Sequence, residues 1–263
     1  ADTNLYRRNA ALQEGMAREG AGAAHDWMAA RGAELGSEQM LEWAAQANRN
    51  PPTPKLFDVA GNRRDEVEFH PAYHELMAYL KRHGASAGPW SDPVPGAHVK
   101  RAAFYMMYAE VEDGTLCPTT MTYAVVPAIS RDKALAAEWL PRIYSLDYDR
   151  RFIPAAQKKG VTLGMGMTEK QGGSDVRANT TRAEPVGGRE YRIVGHKWFF
   201  SAPMCDAFLI LAQAPGGLSC FFLPRWTPDG KLNDIRIQRL KDKMGDKSNA
   251  GSEVEFWGAR AWL

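Results

Sequence analysis

Cysteine is scarce. Cys117, Cys205 and Cys220 are odd in number, far apart and free of any Cys-x-x-Cys spacing, which argues against a disulfide framework or a zinc site and fits a reducing compartment. No apolar run approaches the roughly 18 residues a membrane span needs, and the N-terminus lacks the basic-then-apolar layout of a signal peptide. The expectation is a cytoplasmic protein with no membrane partner. Neither sign of charge is in excess: 33 Lys plus Arg stand against 31 Asp plus Glu, a formal net charge of +2, so the overall balance demands no polyanionic partner. There is no internal repeat and no low-complexity segment.

With 263 residues, 44% of them hydrophobic, the chain suffices for one large or two modest domains. From about Leu5 to Ala47, leucines, methionines and tryptophans among alanines and charges read as helix interrupted at glycines, with Ser37 as an N-cap. The prolines of Asn50-Pro51-Pro52-Thr53-Pro54 end that run, and a turn-rich passage follows. Further helices are expected from Pro71 to His83, stopping at Gly84, and from Ala97 to Asp113, stopping at Gly114. Pro127 and Pro141 bracket another short pair. His70 and His74 have the i, i+4 spacing of a zinc helix, but Pro71 stands where His-Glu-x-x-His has its general base, so packing or capping is favoured.

From Val161 the period changes to two. Strands are expected over Arg177–Ala183, Tyr191–Val194, Lys197–Ser201, Phe208–Ala212, Leu218–Leu223, Ile235–Leu240 and Ser252–Phe256. Turns are supplied by Gly187-Gly188, Pro215-Gly216-Gly217 and Pro228-Asp229-Gly230. This places a helical domain over residues 1–159 and a β domain over 160–263.

The most informative stretch joins the alternating Val161, Leu163 and Met165 to Gly166-Met167-Thr168-Glu169-Lys170-Gln171-Gly172-Gly173-Ser174-Asp175-Val176-Arg177-Ala178. Gly172 and Gly173 allow positive φ and a close approach of backbone amides to a planar or phosphorylated group. Thr168 and Ser174 add hydroxyls, and successive turn amides can form an anion-binding nest. Taken alone, Gly-Gly-Ser-Asp is also an ordinary hairpin turn. Gly164-Met165-Gly166 starts like a dinucleotide fingerprint, but Glu169 stands where the third glycine belongs and no amphipathic helix follows.

At every defined position the thirteen-residue stretch resembles the signature of the acyl-CoA dehydrogenase superfamily. That resemblance implies an α+β protein in which an N-terminal all-α domain precedes an antiparallel β-barrel or sandwich domain contributing to an FAD site. Met165, Met167 and Thr168 would lie along the flavin's pyrimidine edge, and Gly173 and Ser174 would meet the pyrophosphate. Gly195-His196-Lys197-Trp198-Phe199-Phe200-Ser201 is similar to the family's Lys-x-Trp-Ile-Ser/Thr-Asn segment, so Phe199 would pack on the flavin and Ser201 would reach its reactive nitrogen. Phe199 replaces the usual Trp, and Ala202 the usual Asn.

Phe69-His70-Pro71-Ala72, Leu116-Cys117-Pro118, Asn179 to Glu184, Gly217 to Phe222 and Arg239 to Lys243 extend the likeness to the alkylation-response, AidB-like branch. Members of the family continue into a C-terminal helical domain that completes the FAD pocket and carries the catalytic glutamate. The resemblance therefore implies that this domain is absent here and that the chain holds no catalytic residue of its own; Glu169 occupies a position that is not the family's base. It also implies an acyl-CoA thioester as substrate, a homo-oligomer such as a tetramer, and double-stranded DNA as a partner through the same missing domain. Two activities remain open: dehydrogenation of the thioester with hydride passing to FAD, and DNA protection with little turnover. Arg225 to Lys247 is basic but diluted by Asp229, Asp234, Asp242 and Asp246, and reads as a solvated strand-loop surface.

Overall fold

The computed structural model describes residues 2–263, which form two compact units. One takes in the described residues up to Pro51, Phe69–Tyr148 and Asp246–Ser248; the other takes in Pro52–Glu68, Asp149–Gly245 and Asn249–Leu263. The chain thus enters the second unit before and after the helices of Phe69–Tyr148. Among the described residues no helix is long and apolar enough to cross a membrane.

The first unit is built from α1 (Ala10–Arg18), α2 (His25–Leu35), α3 (Glu38–Arg49), α4 (Pro71–Arg82), α5 (Gly88–Ser91), α6 (Ala97–Ala109), α7 (Leu116–Ala124), α8 (Val126–Ile129) and α9 (Lys133–Tyr144). Side chains satisfy several of their first-turn amides: Ser37 Oγ accepts from Met40 N at 3.3 Å, and Asp132 Oδ1 from Ala134 N at 2.9 Å. His70 Nδ1 likewise accepts from Ala72 N at 3.2 Å, so this histidine caps α4, while His74 Nδ1 lies 2.9 Å from the Tyr148 hydroxyl. Among the described residues no group of three or more His, Cys, Asp or Glu is placed to hold a metal ion. Met28, Leu35, Leu76, Leu80, Phe104, Met107 and Tyr108 are fully buried and form the centre of this unit.

Two helix ends differ from the sequence expectation. α6 stops at Ala109 rather than Asp113, because the Glu112 carboxylate turns inward and accepts from Gly114 N and Thr115 N at 2.9 and 2.8 Å. α9 runs through Pro141, which falls in its last turn, instead of stopping there.

In the second unit β1 (Thr53–Phe57) and β2 (Arg63–Glu68) form an antiparallel hairpin where the sequence suggested only turns. A larger sheet contains β3 (Leu163–Gly166), β4 (Arg182–Gly187), β5 (Glu190–Ser201), β6 (Ala207–Ala214), β7 (Gly217–Pro224), β8 (Ile235–Leu240) and β9 (Gly251–Trp262). Its order is β3-β6-β4-β5-β9-β7, and β7 pairs back onto β6, so the strands from β6 to β7 close into a barrel, with β8 added on β9. Pairing is antiparallel except where β6 meets β3 and, at Gln213, β4. The architecture is therefore α+β, helices followed by a β-sheet domain. Ile193, Phe200, Phe208, Ile210, Phe221 and Ile237 fill the barrel without exposure, each such side chain contributing about 1.5–3 kcal/mol of burial.

The strand expected over Arg177–Ala183 begins only at Arg182. Val176–Ala178 is a 3-10 turn, and the amides of Thr180 and Thr181 are taken by the Glu169 carboxylate, so they cannot join a ladder. Conversely, the pieces on either side of Gly195 are one twelve-residue strand, and β9 continues beyond Phe256 to Trp262.

Candidate functional site

The site is set by two glycines that admit rings. A Cβ on Gly164 would stand 2.6 Å from a ring carbon of Phe208, and one on Gly166 2.7 Å from a ring carbon of Phe200. These positions therefore face the barrel interior, and strand alternation sends Met165 and Met167 to the other side. On β5 a register shift between Lys197 and Phe200 lets both residues, three apart, face inward, which turns Phe199 outward. Met167 is 40% exposed and Phe199 49%, which leaves both side chains open to a ligand.

The two segments are joined directly. Trp198 N donates to the Thr168 carbonyl at 2.9 Å, and the Ser201 carbonyl lies 3.5 Å from where a Gly164 Cβ would stand. Beyond Thr168 the chain turns back: Gly172, at φ +123°, donates its amide to the Glu169 carbonyl at 3.0 Å. A Cβ on Gly173 would come within 2.7 Å of Thr168 Oγ1, so the loop returns onto that hydroxyl. The structure thus brings together Met165, Met167, Thr168, Gly173, Phe199 and Ser201, with Ser174 exposed in the same loop.

Beneath the loop lies a buried ion pair. Lys197 Nζ donates to Glu169 Oε1 at 2.8 Å with neither side chain exposed, while Glu169 Oε2 accepts from Thr180 N at 2.6 Å and Thr180 Oγ1 at 2.9 Å, and Oε1 from Thr181 N at 3.1 Å. Burial alone would raise the Glu169 pKa; the hydrogen bonds from Lys197, Thr181 and Thr180 outweigh it and bring the group to about 2. Burial pulls the Lys197 ammonium below its ordinary value, and Glu169 opposes that shift.

Sequence reasoning missed several supports of this loop. Asn179, buried, donates its Nδ2 to the Met167 carbonyl at 2.8 Å and accepts from Gln171 Nε2 at 3.1 Å; Lys170 N donates to His196 Nε2 at 3.1 Å. Lys197 did carry a signal, as an ammonium inside an aromatic strand, where a charge without a partner would be costly.

The basic segment Arg225 to Lys247 is only partly the solvated surface it resembles in sequence. Arg225 is 4% exposed, its Nε donating to the Cys205 carbonyl at 2.9 Å and its guanidinium lying 5.3 Å from the Phe208 ring. Lys241 bonds Glu253 at 2.7 Å with 8% of its side chain exposed. Arg239 also pairs with Glu253, Arg236 with Asp234 and Lys231 with Asp229. Arg239 and Lys231, with 63% and 80% of their side chains exposed, remain on the solvated surface; Arg225 and Lys241 do not.

The family profile described as "Adaptive response protein AidB N-terminal domain" matches residues 1–150, and that described as "Acyl-CoA dehydrogenase, middle domain" matches residues 164–258. AidB of Escherichia coli (strain K12) is 50% identical over 264 residues, taking in 100% of this chain and 49% of that protein. Acyl-CoA dehydrogenase family member 11 of Caenorhabditis elegans is 30% identical over 234 residues, which are 82% of this chain and 36% of its own length. The crystal structure of C. elegans ACDH-11 in complex with C11-CoA has a TM-score of 0.85 at 28% identity, covering 98% of this chain and 46% of that one. This chain spans about half the length of these relatives or less. It belongs to the AidB family of acyl-CoA dehydrogenase-type proteins.

Proposed function

We propose that this chain is the FAD-binding part of an oxidoreductase that dehydrogenates the α,β carbon pair of an acyl-CoA thioester. The observation that carries the reading is the placement of two exposed apolar side chains, Met167 and Phe199, beside the hydroxyl-bearing residues Thr168 and Ser201 and the tight Gly173 loop. That combination suits a cofactor with a flat ring system and a pyrophosphate. Phe199 would pack on the ring, Met165, Met167 and Thr168 would lie along its pyrimidine edge, Ser201 would reach its reactive nitrogen, and Gly173 and Ser174 would hold the phosphates. When bound, FAD supplies the hydride acceptor that the side chains lack. The AidB-family membership supports the same chemistry, and the C11-CoA complex of ACDH-11 supports the thioester class.

The residues of this chain would bind and orient, and would not take the proton. Glu169, the acid within the loop, has its oxygens occupied by four donors and a proton affinity far below that of a working base. We assign the base to residues outside these 263. The DNA-protecting alternative rests on residues outside these 263, and no observation in this chain bears on it.

The test is flavin binding by the full-length protein, read from its visible spectrum, with Thr168→Val and Ser201→Ala variants. Each loses a hydrogen bond worth about 1 kcal/mol, so binding should weaken about fivefold or the flavin potential should shift. Unchanged occupancy and potential in both variants would overturn the assignment.

A further inference from the structure

Lys241 follows β8, in a segment whose charges read as solvent-facing, yet it is placed against the aromatic pair of β5. Its backbone amide donates to the Gly251 carbonyl at 2.7 Å, and its stem lies along Gly251, with Cγ 3.7 Å from where a Cβ would stand. On the far side of that glycine the ammonium sits 3.4 Å from the Trp198 ring centroid and 4.7 Å from that of Phe199. Glu253 bonds it at 2.7 Å and is shared with Arg239 at 2.8 Å. Two cations thus share one carboxylate, which leaves a net positive charge beside the exposed Phe199 ring. Lys170 also approaches Trp198, at 5.6 Å, but from an exposed position.

We propose that Lys241 is a positioning residue for the flavin-facing ring Phe199 and that its charge favours the reduced cofactor over the oxidised one. The proposal rests on the FAD reading above and adds a residue and a sign to it. Reduction adds negative charge to a flavin, and a desolvated ammonium beside its aromatic contact stabilises that charge more than the neutral ring. A cation held over Trp198 also fixes the ring pair through its attraction to their faces.

The test measures the midpoint potential and visible spectrum of the FAD-loaded full-length protein, with thermal unfolding of the FAD-free protein alongside. Lys241→Met should lower the affinity for reduced relative to oxidised flavin by about tenfold, and so make the potential more negative. Glu253 keeps Arg239 in that variant, so no carboxylate is stranded. Glu253→Gln should move the potential in the opposite direction, because it unmasks the cation. Lys241→Arg should restore the wild-type potential, and Lys231→Met, on an exposed side chain away from the loop, should leave it in place. A purely structural role predicts the same direction of shift for Lys241→Met and Glu253→Gln, tracking their unfolding temperatures, and that outcome would overturn the proposal. Should Lys241→Met not fold, Lys241→Gln and Glu253→Gln give the same opposed pair. A wild-type protein that binds no FAD sinks the flavin reading and this proposal together; FAD binding with an unmoved potential in the variants sinks this proposal alone.

Discussion

Lys197 and Glu169 pair without solvent beneath the bond between Trp198 N and the Thr168 carbonyl, each charged residue being the sequence neighbour of one partner in that bond. The pair therefore fixes the two segments that carry Met167 and Phe199 relative to each other. Thr180 and Thr181 complete the carboxylate's shell, so the loop from Gly166 to Ala178 closes on a fully bonded acid.

Breaking one side of this pair should cost far more than removing both. Lys197→Met leaves a buried carboxylate with no cation, and we expect a loss of about 3–5 kcal/mol in urea unfolding. The double variant Glu169→Gln with Lys197→Met strands no charge and keeps an acceptor for one of the two threonine amides, its carboxamide NH2 facing the other, so it should recover part of that loss. Equal losses in the single and double variants would mean that the ion pair is not what holds the loop.

Acid should weaken the same contact. The folded-state pKa of Glu169, about 2, lies below its ordinary 4.5, so the stabilisation is complete above about pH 5 and is lost as the pH falls through about 2. The effect is on the order of 3 kcal/mol. Unfolding free energy measured from pH 6 down to pH 2 should decline less steeply in Glu169→Gln than in the wild type.

How far the site could be read in advance depended on whether its features are local. The glycines, hydroxyls and alternation of residues 161–178 are local, and so is the Ser37 cap, so they were visible as sequence. The hairpin β1–β2 was not, because its second strand, Arg63–Glu68, is polar and lacks clean alternation, and the prolines before Lys55 point to a break. Lys241 and Arg225 were misread for a different reason. A charged residue looks solvated until the partner across the sheet is known, and Glu253 and Gly251 become neighbours of Lys241 only through the β8–β9 pairing. Thr180 and Thr181 have strand-forming side chains, but their amides serve a carboxylate eleven and twelve residues away, which no local pattern records.

The inward-facing glycines of β3 should tolerate no methyl group. In Gly166→Ala the new carbon would start 2.7 Å from the buried Phe200 ring and 3.3 Å from the Lys197 stem. Overpacking of this kind costs about 1–3 kcal/mol. Because Phe200 and Lys197 flank Phe199, flavin binding should fall together with stability. Unfolding and flavin titration of the same variant check both, and an unperturbed variant would show that β3 has room to move.

The hairpin protects a sheet edge. Asp65 Oδ1 accepts from Ile237 N and Arg63 Nη2 donates to the Ile237 carbonyl, both at 2.7 Å, so two side chains stand where a neighbouring strand would pair with β8. Asp65 is also at φ +51°, which Asp tolerates better than Ala. Asp65→Ala should cost about 2 kcal/mol and raise light scattering on mild heating, as the edge is opened. Asp65→Asn keeps the acceptor and the backbone preference, and should lose less than half as much.

The last expectation concerns catalysis by the isolated 263 residues, which should show no thioester-dependent reduction of a dye even when supplied with FAD. A general base works best with a pKa near the operating pH, whereas Glu169 near 2 is about five units too acidic at pH 7 and is held by four donors on the side where it would have to meet a proton. Losing the base alone removes roughly 10²- to 10⁴-fold of rate. In the full-length protein, Glu169→Gln should reduce turnover only through weaker loop order and flavin affinity, and saturating FAD should restore most of kcat without removing an ionisation from its pH profile. Dye reduction by the isolated chain that disappears in Glu169→Gln would show the opposite: that this buried acid leaves its threonine and lysine partners during turnover and takes the proton itself.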